Sequence, residues 1–303
     1  MNAADGSAPR AALRMTEPPG GPYQAGSRME KTGIPYHEEL RALFEPGEAH
    51  DFFGHRPRSL EALAAEMSRL AYFEGGDAGL DDFLGRVGLS LAVPSYDDGN
   101  TQAFYATGAQ IRVLAFRGSD DLRAWQTNLK TRPVTWAGPG RVHQGFLEAL
   151  DAAWRVLGRH LTAAGDPRPL LITGHSLGGG LATLAASRLP QALLYSFGAP
   201  RAGDSAFSHD MDKRAERHFR YVGYRDPVCL LPPGLLGYRH CGVAYYIGKE
   251  GQVTALPPSH PRPRIRDMES LLRRFLSVMR EPRKPRRNDL TDHSPINYVS
   301  ALR

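Results

Sequence analysis

This 303-residue chain has few of the features that would send a protein into a membrane or onto a metal. No apolar run approaches the roughly 18 residues that a membrane-crossing helix needs. There is no C-x-x-C, no H-E-x-x-H and no Walker loop, so metal and nucleotide binding have no foothold and no cofactor is expected. Cysteine is scarce: Cys229 and Cys241 are the two present, too few for a disulfide framework, and they are expected as reduced thiols. The N-terminal stretch MNAADGSAPRAALRM lacks an apolar h-region. No secretory signal is read there, and a cytoplasmic or peripheral-membrane location is the expectation, with leaderless export left open.

Net charge is also low over most of the chain. The formal total is +6, but residues Arg262 to Arg287 hold ten Lys/Arg against Asp267, Glu269 and Glu281, a local +7. Subtraction leaves the remainder at about −1, which argues against a nucleic-acid-binding protein and for one basic patch. A patch of this kind fits contact with an anionic membrane surface. Its apolar residues Met268, Leu271, Leu272, Phe275, Leu276 and Met279 recur at helical spacing.

What remains is ordinary globular material, with 41% hydrophobic and 23% charged residues. Residues 1–35, rich in Gly, Pro, Ala and Ser, are expected as a disordered tail. Residues 36–303 are expected as a single α/β domain with a basic helical insertion at about 260–288. Helical spacing covers Leu60 to Tyr72 and Phe146 to Leu161. Short strands are expected at Thr101 to Tyr105, Ile111 to Phe116, Pro169 to Thr173, Ala192 to Phe197 and Phe219 to Val222, with a hairpin around Glu250-Gly251. Alternating strands and helices imply a mainly parallel sheet covered on both faces.

The most informative residues are Gly174-His175-Ser176-Leu177-Gly178-Gly179. A strand-like run precedes them and a run of small and apolar residues follows, the strand–turn–helix context of a nucleophile elbow. Ser176 would sit at the strained tip with its hydroxyl presented, and the amide of Leu177 would face negative charge developing beside it.

A serine nucleophile needs a base, and the base an orienting acid, in the chain order Ser, Asp/Glu, His. Asp226 follows the strand Arg220 to Tyr224 and is the leading acid, with Asp204 the runner-up. Three histidines follow Asp226. His260 lies in a Pro-rich basic stretch and His240 enters a strand. His293 occupies a loop from which an imidazole can reach the serine, which favours it modestly. For the oxyanion hole, the strand ending at Phe116 leads into Arg117-Gly118-Ser119, so the Ser119 amide is the second candidate donor. Leu122, Trp125 and Leu129 share the face of a following helix, either a buried contact or a lid.

These motifs resemble those of the class 3 lipases, the fungal- and plant-type lipases of the α/β-hydrolase fold. The resemblance runs through FRGS at Phe116 to Ser119, VHQGF at Val142 to Phe146, GHSLGG at Gly174 to Gly179 and FGAPRAG at Phe197 to Gly203. It continues through DPVCLLPP at Asp226 to Pro233, YRHCG at Tyr238 to Gly242 and DHSPINY at Asp292 to Tyr298. It implies an α/β-hydrolase fold and a serine esterase acting on lipid or other ester substrates. It implies Ser176, Asp226 and His293 as the triad and Ser119 and Leu177 as oxyanion donors, with His143 and His240 structural and Asp204 excluded. Trp125, Leu231 and Leu235 are the expected contacts of the acyl chain. The chain departs from the better-known members in lacking a recognisable secretion signal and in its basic insertion.

Overall fold

The computed structural model describes residues 52–119, 132–162, 166–256 and 291–303. The expected N-terminal tail, Trp125, His260 and the basic insertion lie outside these residues. The central sheet has nine strands: β1 (Leu89–Leu91), β2 (Tyr96–Asp97), β3 (Gln102–Gly108), β4 (Arg112–Phe116), β7 (Leu170–His175), β8 (Leu193–Phe197), β10 (His218–Gly223), β12 (Val243–Ile247) and β13 (Val253–Leu256). Their spatial order is β1-β3-β4-β7-β8-β10-β12-β13, with β2 also paired to β3. The pairs from β4 through β12 are parallel, and antiparallel strands close both edges. A small antiparallel sheet joins β5 (Pro133–Thr135), β6 (Arg141–His143), β9 (Gly203–Asp204) and β11 (Tyr238–Arg239).

Period-two alternation along the strands builds two cores, one on each face. Leu170 and Ile172 of β7 point into the first, and Leu171 points into the second. On the first face lie α3 (Gln144–Leu161) and α4 (Leu177–Arg188). Helix α3 is amphipathic and buries Phe146, Leu150, Ala153, Leu157 and Leu161. Helix α4 is small or apolar nearly all round and is buried from Gly178 to Ala186, as such a helix must be. Each fully buried Leu or Phe contributes roughly 1.5–3 kcal/mol relative to exposure.

The second face carries α1 (Leu60–Leu70) and the C-terminal α6 (Pro295–Leu302). Ser59 caps α1 by accepting from the Ala62 N–H at 3.2 Å. Helix α6 starts with Pro295 directly after Ser294, the favoured position for proline. It buries Ile296, Tyr298, Val299 and Ala301 in the second core. At its end Arg303 pairs with Glu66 of α1 at 2.8 Å, and Glu66 also holds Arg69 at 2.8 Å. The remaining α-helices among the described residues are α2 (Gly76–Gly85), which buries Leu80 and Leu84, and α5 (Ser205–Asp212).

Candidate active site

The elbow is where β7 ends and α4 begins. Ser176 has φ 58° and ψ −128°, a backbone conformation that a non-glycine residue keeps only when its surroundings enforce it. The enforcement is visible: the Ser176 N–H donates to Phe197 O at 2.9 Å, and its own carbonyl accepts from Gly179 and Gly180. A Cβ at Gly174 would collide with the Gly178 carbonyl, and one at Gly178 with the Phe116 carbonyl. Strand, elbow and helix therefore close only with glycine at both positions.

Three segments converge on the serine. His293, in a short 3-10 turn from Thr291 to His293, sets Nε2 2.8 Å from Ser176 Oγ and Nδ1 2.8 Å from Asp226 Oδ2. Asp226 lies three residues beyond β10, and its second oxygen accepts from the Val228 N–H at 2.9 Å. Tyr298 of α6 donates its O–H to Asp226 Oδ2 at 2.5 Å and accepts from the Gly223 N–H at 2.9 Å. All four side chains are buried, and Ser176 and His293 have no exposed surface. Burial, then the Asp226 charge, pushes the Tyr298 phenol well above its usual range, so it stays a proton donor. Gly198, at φ 58°, leaves the space these groups share: a Cβ there would stand 2.7 Å from Asp226 Oδ2 and 3.0 Å from both His293 Nδ1 and the Tyr298 hydroxyl.

The expected oxyanion loop also reaches the elbow. A Cβ on Gly118 would lie 2.7 Å from the His175 carbonyl and 3.0 Å from Ser176 Cβ, and would overlap the Tyr72 hydroxyl. Gly118 is thus required for close approach, and the chain entering Ser119 lies against Ser176. Leu177 opens α4, so its N–H is one of the first helical amides, which have no intrahelical acceptor, and no side chain caps that end.

The alternative residues have other duties. Asp204 caps α5, accepting from the Ala206 and Phe207 N–H groups at 3.0 Å each. His143 caps α3 through Phe146 N–H, and His240 Nε2 bonds the Cys229 carbonyl at 2.6 Å. Cys229 and Cys241 are both free thiols. Leu231, expected against the acyl chain, belongs instead to the first core with 1% exposure, and its carbonyl accepts from the Arg201 backbone N–H at 2.7 Å. Leu235 stands 88% exposed beside Leu236 at 54%.

Sequence spacing did not single out Tyr72, His175 or Tyr298. Tyr72 and His175 are bonded to each other, Tyr72 O–H to His175 Nδ1 at 2.8 Å. Tyr298 was within reach of sequence reasoning, since Ser294-Pro295 is a helix start and places it on the first turn after His293.

The family model described as "Lipase (class 3)" matches residues 113–235. A secreted mono- and diacylglycerol lipase of Fusarium solani is 37% identical over 145 residues, covering 45% of this chain and 43% of that protein. A lipase of Rhizomucor miehei is 33% identical over 164 residues, covering 49% and 45%. A chloroplastic phospholipase A(1) of Arabidopsis thaliana is 32% identical over 156 residues, covering 42% and 35%. The chain thus spans less than half the length of these relatives. Among solved structures, a triacylglycerol lipase whose catalytic centre is a serine-protease triad aligns with TM-score 0.54 at 25% identity, covering 64% of this chain and 82% of that one. A fungal lipase aligns with TM-score 0.60 at 18% identity, covering 85% and 98%, a likeness of fold.

Proposed function

Starting from a chain that belongs to the class 3 lipase family through residues 113–235, we propose that it is a serine hydrolase of lipid carboxylic esters, acylglycerols or phospholipids. The observation that carries the reading is the buried line Ser176 Oγ–His293 Nε2, His293 Nδ1–Asp226 Oδ2, with 2.8 Å at each step.

The chemistry is acyl transfer in two steps. Ser176 Oγ attacks the ester carbonyl while His293 Nε2 takes the hydroxyl proton. The tetrahedral oxyanion is held by the Leu177 and Ser119 amides, each such donor worth roughly 3 kcal/mol. His293 returns its proton to the departing alcohol, and water activated by the same imidazole hydrolyses the acyl-enzyme. Asp226 accepts from Nδ1–H, holding the tautomer and stabilising the imidazolium, and Tyr298 and Val228 N–H hold Asp226 in turn.

The test is covalent. A fluorophosphonate should add once, on the peptide carrying Ser176, and Ser176→Ala should abolish labelling and cut turnover of a nitrophenyl ester by on the order of 10^5–10^6. Undiminished turnover in that variant overturns the reading. A lipid-binding protein without catalysis would fail with every ester, and the assembled triad argues against it.

A second reading, a phospholipase A1 on anionic membranes, is favoured by the local +7 charge of Arg262 to Arg287 and by the phospholipase among the relatives. The exposed Leu235–Leu236 pair would then enter the lipid surface beside Arg239. Neutralising Arg283, Lys284, Arg286 and Arg287 should lower activity on phosphatidylglycerol vesicles and spare a soluble ester. Equal losses on both would refute membrane contact by this segment.

A further inference from the structure

Behind the catalytic imidazole stands a second one that the mechanism does not use. His175, the residue before the nucleophile, is fully buried, and its Nε2 lies 2.6 Å from the backbone carbonyl of His293. A carbonyl only accepts, so Nε2 carries the proton and Nδ1 is left with a lone pair. That lone pair accepts from the Tyr72 hydroxyl at 2.8 Å. The tautomer of His175 is thereby fixed from both ends.

Tyr72 closes the arrangement. It stands just beyond α1, and its hydroxyl occupies the space a side chain at residue 118 would need, so it also abuts the loop that leads to Ser119. The Arg117 guanidinium lies 5.6 Å from the Tyr72 ring centroid and is itself bonded to Glu74 at 2.8 Å and to Gln102. One hydrogen-bonded strut therefore touches three parts of the proposed machinery: the oxyanion loop at Gly118, the elbow through His175, and the backbone of the general base.

We propose that Tyr72 and His175 are positioning residues that hold the His293 backbone at the distance from which its Nε2 serves Ser176. The inference rests on the serine-hydrolase reading above and extends it to side chains that touch no substrate. Chemistry supports the choice of a neutral imidazole for this post. The His175 ring centroid is 4.5 Å from that of His293, so a charged His175 would repel the imidazolium formed during turnover. Burial, then the neighbouring His293, keeps His175 well below the usual histidine range and hence uncharged. A donor and an acceptor are both needed here, and neutral histidine offers the two on opposite sides of one rigid ring.

The experiment uses the whole chain and three variants. Tyr72→Phe removes only the donor. His175→Leu removes both functions, while His175→Gln keeps one donor and one acceptor. Kinetics on a soluble nitrophenyl ester are read beside the far-downfield proton resonance of the His293–Asp226 hydrogen bond and the thermal midpoint. Tyr72→Phe should lower kcat about 10-fold and His175→Leu about 100-fold with KM within a factor of about two, as displacement of a reacting group by around 1 Å costs. His175→Gln should recover most of the loss, and the downfield resonance should shift or broaden in Tyr72→Phe and His175→Leu alone. A folded Tyr72→Phe protein with unchanged kcat and an unmoved resonance overturns the proposal, as does a His175→Gln protein no better than His175→Leu. Should His175→Leu fail to fold, Tyr72→Phe decides alone. A wild-type protein that hydrolyses no ester refutes the serine-hydrolase reading instead, and the resonance in Tyr72→Phe still decides whether the strut holds His293.

Discussion

The two faces of the central sheet are built by different rules. On the α3–α4 face, contact is apolar and repetitive: Phe146, Leu150, Leu157, Leu181 and Leu184 meet Leu170, Ile172 and Leu194 in one cluster. On the α1–α6 face, apolar packing is threaded by polar bonds between distant parts of the chain. Thr173 Oγ1 donates to Ala64 O at 3.0 Å, Tyr72 to His175, His175 to His293 O, Tyr298 to Asp226, and Arg303 pairs with Glu66. The first face is a support on which the elbow rests. The second sets the directions of His293 and Asp226, because hydrogen bonds fix angles and hydrophobic contact does not.

That contrast can be broken at its strongest point first. Asp226→Asn should lower kcat by about 10^4, by analogy with the serine-protease triad, because the imidazole is then held in the wrong tautomer. Its stability should fall far less than its activity, which urea unfolding alongside steady-state kinetics will check. Loss of fold in proportion to loss of rate would mean that the second face is structural throughout.

The mirror experiment lies on the first face. Leu150 is fully buried there, and Leu150→Ala should cost about 2–5 kcal/mol of stability while kcat of the folded protein stays within a few-fold of wild type. A kcat that falls with the core would erase the distinction between the faces.

Acid offers a third probe. His218, at the start of β10, is 1% exposed, and burial, then Arg214, lower its pKa from 6.5 to about 4; Glu216 pulls the other way and Arg217 the same way as Arg214. The folded state thus disfavours the proton that the unfolded chain accepts. Stability from this group is complete above pH 6.5 and is lost as pH falls toward 4, up to about 3 kcal/mol. His175 acts in the same direction. His218→Gln should flatten the fall of the thermal midpoint between pH 6.5 and 4, and an unchanged slope would remove His218 from the account.

The smallest effect expected is at Tyr298. Tyr298→Phe deletes the donor to Asp226 and the acceptor of the Gly223 N–H, a loss of about 1–3 kcal/mol for buried groups left unpaired. A modest drop in kcat with a lowered thermal midpoint is the pattern expected; a change in KM alone would contradict it.

The same contrast explains what could be read from the chain. The elbow was legible because its demands are local: two glycines, a preceding strand and a following small-residue helix all fall within a few residues of Ser176. Asp226 was legible from its place just past a strand, and the face of α3 from its spacing. The hairpin of β12 and β13 was legible from Gly251, which takes φ 81° at the turn. Less visible were helix α2, whose Gly76, Gly79 and Gly85 mask the Leu80–Leu84 pair, and strands β5, β6, β9 and β11, of two or three residues each and too short to show alternation. Partners across the second face were invisible for another reason. Tyr72 and His175 stand 103 residues apart, and His175 and the His293 carbonyl 118, separations over which spacing carries no information. Between His240 and His293, spacing only weakly favoured the histidine that stands against Ser176, and motif resemblance supplied the rest.

Ser176 is hydrogen-bonded through its N–H, its carbonyl and its hydroxyl, and it is fully buried. In kinetic language, a serine so enclosed is expected to react during excursions that uncover it. Covalent labelling by a soluble probe should therefore saturate: as probe concentration rises, the observed rate should level off at the frequency of uncovering, while a nucleophile at an open surface would give a rate that keeps climbing in proportion.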